Sequence, residues 1–131
     1  MAVQTSIVIL TLNEAKHLGN LMQGIHNQNY HDWEIILVDS GSTDATLEIA
    51  EKYGAHIYHI PSHEFTFGRS LNLGCSKANG DYLVFASGHV WPITNNWLRN
   101  LVKPFDEPSV TMVYGRQRAT DANRLCEQRD L

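Results

Sequence analysis

The chain has 131 residues, of which 43% are apolar and 18% are charged. This length predicts a single domain spanning residues 1–131, and the apolar content excludes an intrinsically disordered chain. Ten basic against fourteen acidic side chains give a formal net charge of −4, which disfavours a general nucleic-acid-binding protein. No segment approaches the roughly 18 apolar residues of a membrane-spanning helix, and no signal-peptide pattern opens the chain, so we expect a cytoplasmic protein.

Apolar runs and helical patterns alternate along the whole length. Five short segments predict strands, over residues 6–10, 34–38, 56–60, 82–86 and 110–114, and the first two are apolar enough to be buried. Four helical patterns lie between them: one carrying Leu18, Leu21, Met22 and Ile25, one from Asp44 to Gly54, one over residues 68–78, and one from Asn95 to Val102. The alternation predicts a mainly parallel sheet with helices on both faces, which is a three-layer α/β/α domain.

In such a sheet, ligands bind at the edge where the carboxyl ends of the strands meet. The residues that follow the second predicted strand there read DSGSTD, from Asp39 to Asp44. Gly41 permits a tight turn and the Ser-Thr-Asp group can cap the next helix, so that group can be either a cap or a ligand contact. Asp39 caps nothing obvious, and its carboxylate is suited to accept hydrogen bonds from a base or a ribose. The sequence therefore favours a functional role for Asp39.

The chain has neither a Gly-x-Gly-x-x-Gly turn after a strand nor a Gly-Lys-Ser/Thr loop. If the ligand is a nucleotide, side chains or a metal must therefore neutralise its phosphates. Arg69, at the start of the third predicted helix, is the best-placed cation, although a solvated surface arginine would look the same in the sequence.

Two segments together are recognisable: IVILTLNE over residues 7–14 and EIILVDSGSTD over residues 34–44. They resemble the opening of the family 2 glycosyltransferases, and the resemblance continues through residues 68–74, 78–85 and 92–98. It covers most of the chain, to about Tyr114. The resemblance implies a Rossmann-like GT-A fold and inverting transfer of a hexosyl or deoxyhexosyl group from a nucleoside-diphosphate sugar, in the manner of enzymes of polysaccharide biosynthesis.

Residue roles follow from the same resemblance. It implies that Thr11, Asn13 and Glu14 contact the nucleoside and that Asp39 reads the base or ribose. The adjoining Ser40 and Gly41 would belong to the same nucleotide-sugar site. Arg69 matches a basic position near the nucleotide. The implied donor is a UDP-, GDP- or TDP-linked sugar, and the implied acceptor is a saccharide or a lipid-linked molecule, which allows a peripheral location at the inner membrane face.

The chain departs from the family where an Asp-X-Asp motif would hold Mg²⁺ or Mn²⁺ against the diphosphate. The matching residues are Ser87, Gly88 and His89, which include no carboxylate. Mg²⁺ prefers oxygen anions, whereas imidazole suits Mn²⁺, so His89 remains a candidate metal ligand. Two other readings stay open: His89 and Arg69 replace the metal by direct charge, or the site is not productive.

A general base is not identifiable in this chain. The family takes that residue from its second half, and the carboxylates of Asp121, Glu127 and Asp130 lie in no motif that maps to it. We therefore expect the donor-binding portion of such an enzyme, with the acceptor-binding half absent. The polar tail and any exposed sheet edge also allow a homodimer.

Other readings are weaker. His56, His59 and His63 resemble a metal cluster, but His56 and His59 point to opposite sides of a strand. Trp91 is expected to pack, with stacking on a sugar or base as the alternative. A signalling receiver domain would need a phosphoacceptor aspartate after its third strand, where this chain has Ile60 and Pro61. A non-catalytic nucleotide-sugar-binding or partner-binding module remains the alternative function.

Overall fold

The structure is a computed structural model that describes residues 3–116 and 118. Its centre is a sheet of four parallel strands in the order β3-β2-β1-β4. The strands are β1 (Thr5–Thr11), β2 (Trp33–Asp39), β3 (His56–His59) and β4 (Tyr82–Ser87). The first four predicted strands are confirmed, with ends displaced by one residue.

Four helices connect and cover the strands. They are α1 (Ala15–His26), α2 (Thr46–Lys52), α3 (Phe67–Lys77) and α4 (Trp97–Val102), and two 3₁₀ turns cover Ser62–Glu64 and Lys103–Asp106. Each predicted helix is present. The second begins at Thr46, two residues after Asp44, because the Asp44 carboxylate caps the helix from outside by accepting from the backbone N–H of Thr46 at 3.0 Å.

The two faces of the sheet are covered unequally. Odd-numbered residues of β1 and β2, such as Ile7 and Leu37, form one fully buried core with α1, α2 and α4. On the other face α3 packs against β1 and β2, so closely that a Cβ on Gly74 would lie 2.5 Å from a methyl group of Val8. The architecture is the predicted three-layer α/β/α arrangement.

The predicted fifth strand, residues 110–114, is wrong. These residues have no regular secondary structure, and Met112 and Tyr114 are 82% and 90% exposed. A β-rich run becomes a strand only when another strand pairs with it, and within residues 3–116 and 118 none does. Among the described residues β4 is therefore an edge strand, and its Leu83 and Phe85 side chains are 43% and 53% exposed.

In the described part of the chain, no helix combines the length and the apolar character needed to cross a membrane. The carboxylates weighed as a general base, on Asp121, Glu127 and Asp130, lie outside the described residues.

Candidate functional site

The strand register brings three strand ends together at the carboxyl edge. Thr11 at the end of β1 is level with Asp39 at the end of β2, and Asp39 is level with His59 at the end of β3. On the other side Leu10 is level with Ser87, the last residue of β4. The loops that follow these strands are therefore neighbours, as the parallel topology requires.

The carboxylate of Asp39 is buried in this edge and organises the loop after β2. Its Oδ2 accepts from the backbone N–H groups of Gly41 at 2.9 Å and Ser42 at 2.8 Å, while its Oδ1 accepts from the hydroxyls of Thr11 at 2.8 Å and Ser42. Gly41 allows the turn because its φ is 115°, a value that side-chain-bearing residues rarely adopt. Burial alone would raise the pKa of Asp39, but the hydrogen bonds from Ser42, Gly41 and Thr11 hold it below its ordinary value.

Asn13 joins the loop after β1 to the loop after β2. Its Oδ1 accepts from the backbone N–H of Thr43 at 2.8 Å and of Asp44 at 3.3 Å, and its own N–H donates to the hydroxyl of Ser42 at 2.8 Å. Its φ of 53° is left-handed, and it is the one residue other than glycine with a positive φ among those described. Asparagine tolerates this conformation better than most side chains. Asn13 therefore suits this position both by its backbone conformation and by the hydrogen bonds that its side chain accepts.

The first turn of α1 is capped by the same neighbouring loop. The backbone N–H of Glu14 donates to the Thr46 hydroxyl at 2.8 Å, and that of Ala15 donates to the Asp44 carboxylate at 3.2 Å. Hydrogen bonding from Thr46 above all lowers the pKa of Asp44. Asp44 therefore accepts hydrogen bonds at the N-termini of both α1 and α2, which is the capping role that the sequence allowed for this residue.

The side chain of Glu14 points instead toward the loop after β4. Its Oε1 lies 3.4 Å from Nδ1 of His89, and the side chain is 21% exposed against 59% for His89. Gly88 makes this approach possible, since a Cβ there would lie 2.8 Å from Cγ of Glu14. A carboxylate from the first loop thus lies beside the Ser87-Gly88-His89 segment, where the sequence alone offers none.

The rest of the loop after β4 is fixed along α1. Trp91 stacks on His17 with ring centroids 5.6 Å apart, and Pro92 lies against Gly24, where a Cβ would be 2.7 Å from the proline ring. The buried amide of Gln28 donates to the carbonyl of Thr94 at 2.7 Å. The stacking on His17 agrees with the packing role expected for Trp91, and these contacts fix the segment that follows His89 along α1.

An open cleft of about 430 Å³ lies on the β3 side of this edge. It is lined by Asp39, Ser40 and Gly41 from the end of β2, by His59, Ile60, Pro61 and Ser62 after β3, and by Leu12. Sequence reasoning gave the first group a role in the site but none to the second, because His59 was weighed only as a metal ligand. The signal that could have found it is its place at the carboxyl end of a parallel strand.

Arg69 does not line this cleft. It is exposed on the first turn of α3, where its guanidinium donates to the carbonyl of Glu64 at 3.4 Å. Its backbone N–H is capped by the Thr66 hydroxyl at 3.0 Å. Thr11, Asn13, Asp39, Ser40 and Gly41 thus form one cluster, Glu14 and His89 a second, and Arg69 is not a lining residue of the cleft.

Glu14 and His89 could supply two of the ligands of a divalent metal ion, but two ligands alone do not complete its coordination shell. Within residues 3–116 and 118, no three or more His, Cys, Asp or Glu side chains converge closely enough to hold an ion. One carboxylate and one imidazole match Mn²⁺ better than Mg²⁺, and oxygen atoms of a bound ligand would have to complete the shell.

Comparison of the sequence with models of protein families shows which family the chain belongs to. Residues 6–130 match the model of glycosyl transferase family 2. The chain belongs to that family. This confirms the resemblance drawn from its sequence, and the four-stranded parallel sheet agrees with the GT-A fold of the solved structures that it matches.

Relatives within the family are much longer. The chain is 29% identical over 126 residues to the O-antigen chain rhamnosyltransferase RfbN of Salmonella typhimurium, covering 94% of this chain and 40% of that protein. It is 28% identical to the cholesterol galactosyltransferase of Borreliella burgdorferi, of which it covers 32%. It is also similar to glucosyl-3-phosphoglycerate synthase of Mycobacterium tuberculosis, solved with Mn²⁺, uridine diphosphate and glucosyl-3-phosphoglycerate, with a TM-score of 0.67 and 25% identity over 79% of this chain and 39% of that one. The chain therefore spans two fifths or less of these proteins.

Proposed function

We propose that this chain is the donor-binding portion of an inverting glycosyltransferase, and that its cleft receives the nucleoside of a UDP-, GDP- or TDP-linked hexose or deoxyhexose. The observation that carries the proposal is the cleft itself. It opens at the carboxyl edge of the sheet, beside a loop that Asp39 and Asn13 hold in one conformation. Parallel sheets of this kind bind their ligands at that edge.

Different residues would hold the loops of the cleft and contact the diphosphate of the donor. Thr11, Asn13 and Asp39 act as positioning residues, since their polar atoms bond the two loops to each other. From the cleft, the diphosphate would extend toward His89, with Arg69 as the cation available from α3.

Glu14 and His89 are the residues that would hold Mn²⁺. When bound, the metal would neutralise charge on the departing nucleoside diphosphate. Their present contact shows that the two side chains can reach a common point. Mn²⁺ and uridine diphosphate accompany the related synthase in its solved structure, which supports the same ligand class for this chain.

Transfer to an acceptor is proposed only for a polypeptide that also carries the part of the fold that the relatives have and this chain does not span. In such a polypeptide the hydroxyl oxygen of a saccharide or lipid-linked acceptor would attack the anomeric carbon and lose its proton to a base in that further part of the fold. The nucleoside diphosphate would leave from the opposite face.

A non-catalytic nucleotide-sugar-binding module is the second candidate function. The observation that favours it is the absence of a carboxylate from Ser87-Gly88-His89, at the place where the family holds its metal. Both candidates predict nucleotide binding, but only the transferase requires that the bound diphosphate be neutralised for departure.

The test follows the thermal unfolding of the chain with UDP, GDP or TDP, each with and without Mn²⁺. Binding to the native state at 1,000 times Kd adds about 4 kcal/mol to the free energy of unfolding, which raises Tm by roughly 10–20 °C for a domain of this size. We expect a rise that needs Mn²⁺ and that His89→Ala abolishes, whereas the matched variant His31→Ala, an exposed histidine in the connection before β2, leaves it unchanged.

A rise in Tm that does not depend on Mn²⁺ would indicate that His89 and Arg69, rather than a metal ion, neutralise the diphosphate. If no nucleotide changes Tm, with or without the metal, the proposed function is overturned.

A further inference from the structure

The acceptor atoms of Asp39 are already occupied. A carboxylate offers about four lone-pair positions, and here two backbone N–H groups and two hydroxyls take them all. Ser40 is also engaged, because its N–H donates to the carbonyl of Thr11 at 3.1 Å. A base that enters the cleft therefore finds no open acceptor on Asp39 unless the loop first gives up one of its own hydrogen bonds.

The side chains of His59 and Ser62, unlike that of Asp39, have hydrogen-bonding atoms that the described residues leave unoccupied. Both side chains are exposed and both line the cleft. Within the part of the chain that the structure describes, neither side chain takes part in a hydrogen bond. Their polar atoms are therefore available to a ligand, and the backbone pairing of His59 with Asp39 keeps the imidazole next to the organised loop.

The walls of the same cleft are apolar. Leu12 is 52% exposed, which is unusual for a large aliphatic side chain in a short loop, and Pro61 and Ile60 follow His59 on the other side. A planar heteroaromatic ring can cover such surfaces with its faces while its edge reaches polar groups. This combination of apolar walls and a few polar groups is typical of small-molecule sites.

We propose that His59, assisted by Ser62, reads the edge of the nucleobase and sets the choice of nucleotide, while Asp39 acts only by fixing the loop. The inference rests on the proposed function, since it concerns the same donor cleft. A neutral imidazole donates through one ring nitrogen and accepts through the other, and a serine hydroxyl does both, so the pair can match the donors and acceptors of a base edge.

Calorimetric titration of the full chain with UDP, TDP, GDP and ADP, each in the presence of Mn²⁺ and again without it, tests this, with the wild type compared against His59→Ala and Ser62→Ala. We expect His59→Ala to weaken binding of the preferred nucleotide by about fivefold, the loss typical of one neutral hydrogen bond, and to leave binding of the weakest one nearly unchanged. The ratio of Kd values between bases should therefore fall toward one. Ser62→Ala should reduce the same ratio by a smaller factor.

The matched control is His56→Ala, an exposed histidine at the other end of β3 whose side chain does not line the cleft. It should keep the wild-type affinities and preference. His59→Asn, which retains a donor and an acceptor on a shorter side chain, should change the order of preference and provides a second variant if the alanine variant fails to fold.

The outcomes separate the two proposals. If the wild type binds none of the four nucleotides, the proposed function itself fails. If it binds at least one, and His59→Ala either keeps the wild-type preference or weakens all four nucleotides equally, base reading by His59 is overturned while nucleotide binding stands.

Discussion

Replacing Asn13 should destabilise the two loops of the site through two separable effects. The first is the loss of the Oδ1 acceptor, which leaves the N–H groups of Thr43 and Asp44 without their partner. The second is conformational, because a residue with φ of 53° strains most side chains other than asparagine and glycine. Asn13→Ala suffers both effects, whereas Asn13→Gly suffers only the first.

The magnitudes follow from those two terms. Each exposed hydrogen bond contributes about 0.5–1 kcal/mol, and left-handed backbone costs alanine about 1 kcal/mol. Asn13→Ala should therefore lower the free energy of unfolding by about 2–3 kcal/mol and Asn13→Gly by about 1–2 kcal/mol. Asn20→Ala, at an exposed position of α1, is the control and should be neutral or slightly stabilising, since alanine favours helices.

Urea unfolding followed by far-ultraviolet circular dichroism gives these energies directly. Equal losses for alanine and glycine would refute the conformational term. If both variants lower the free energy of unfolding by less than about 0.5 kcal/mol, no more than an ordinary surface substitution, Asn13 does not stabilise the contact between the two loops.

Two further substitutions test the site and its support. Because the pKa of Asp39 is depressed in the folded state, its contribution to stability is present above the unfolded pKa of about 3.9 and is lost as pH falls through the folded value. Asp39→Asn should therefore lower stability at pH 7 by about 2 kcal/mol and flatten its decline below pH 4, and parallel declines in urea titrations of both proteins would contradict this. Gly24→Ala should destabilise α1 and the loop after β4, because the new Cβ would lie 2.7 Å from Pro92, whereas Gly19→Ala on the same helix meets nothing within 4 Å and should gain about 0.5–1 kcal/mol. Equal Tm increases for the two alanine variants would show that the loop yields without cost.

The fold was predictable from sequence where burial dictates the residue pattern. The run SIVIL is bounded by polar residues and lies almost wholly in the core, so its strand was recognised within one residue at each end. The displaced ends are Thr5 and Thr11, polar residues that are buried because Tyr30 and Asp39 accept or share their hydrogen bonds. The strand predicted at residues 110–114 failed for the complementary reason, since strand propensity carries no information about whether a partner strand is present.

The site was predictable in its composition but not in its connections. Sequence reasoning chose Asp39 for its carboxylate and for its place at a strand end, and the structure has that carboxylate at the carboxyl edge of the sheet. It could not show that four donors of the same two loops would occupy that carboxylate, because those contacts depend on the turn at Gly41 and on the register with Thr11. The partnership of Glu14 with His89 was hidden for a similar reason, since 75 positions separate them in the chain.

These connections change what the family motif means physically. Asn13, Asp39 and Asp44 are motif residues, and each directs its polar atoms to backbone or hydroxyl groups of the neighbouring loop. Residues used in this way hold the shape of the cleft. Under the proposal made above, base discrimination would then fall to side chains of the cleft that lie outside the motif, His59 and Ser62. A shared motif thus accounts for shared chemistry, and differences in donor choice within the family are expected at the end of β3.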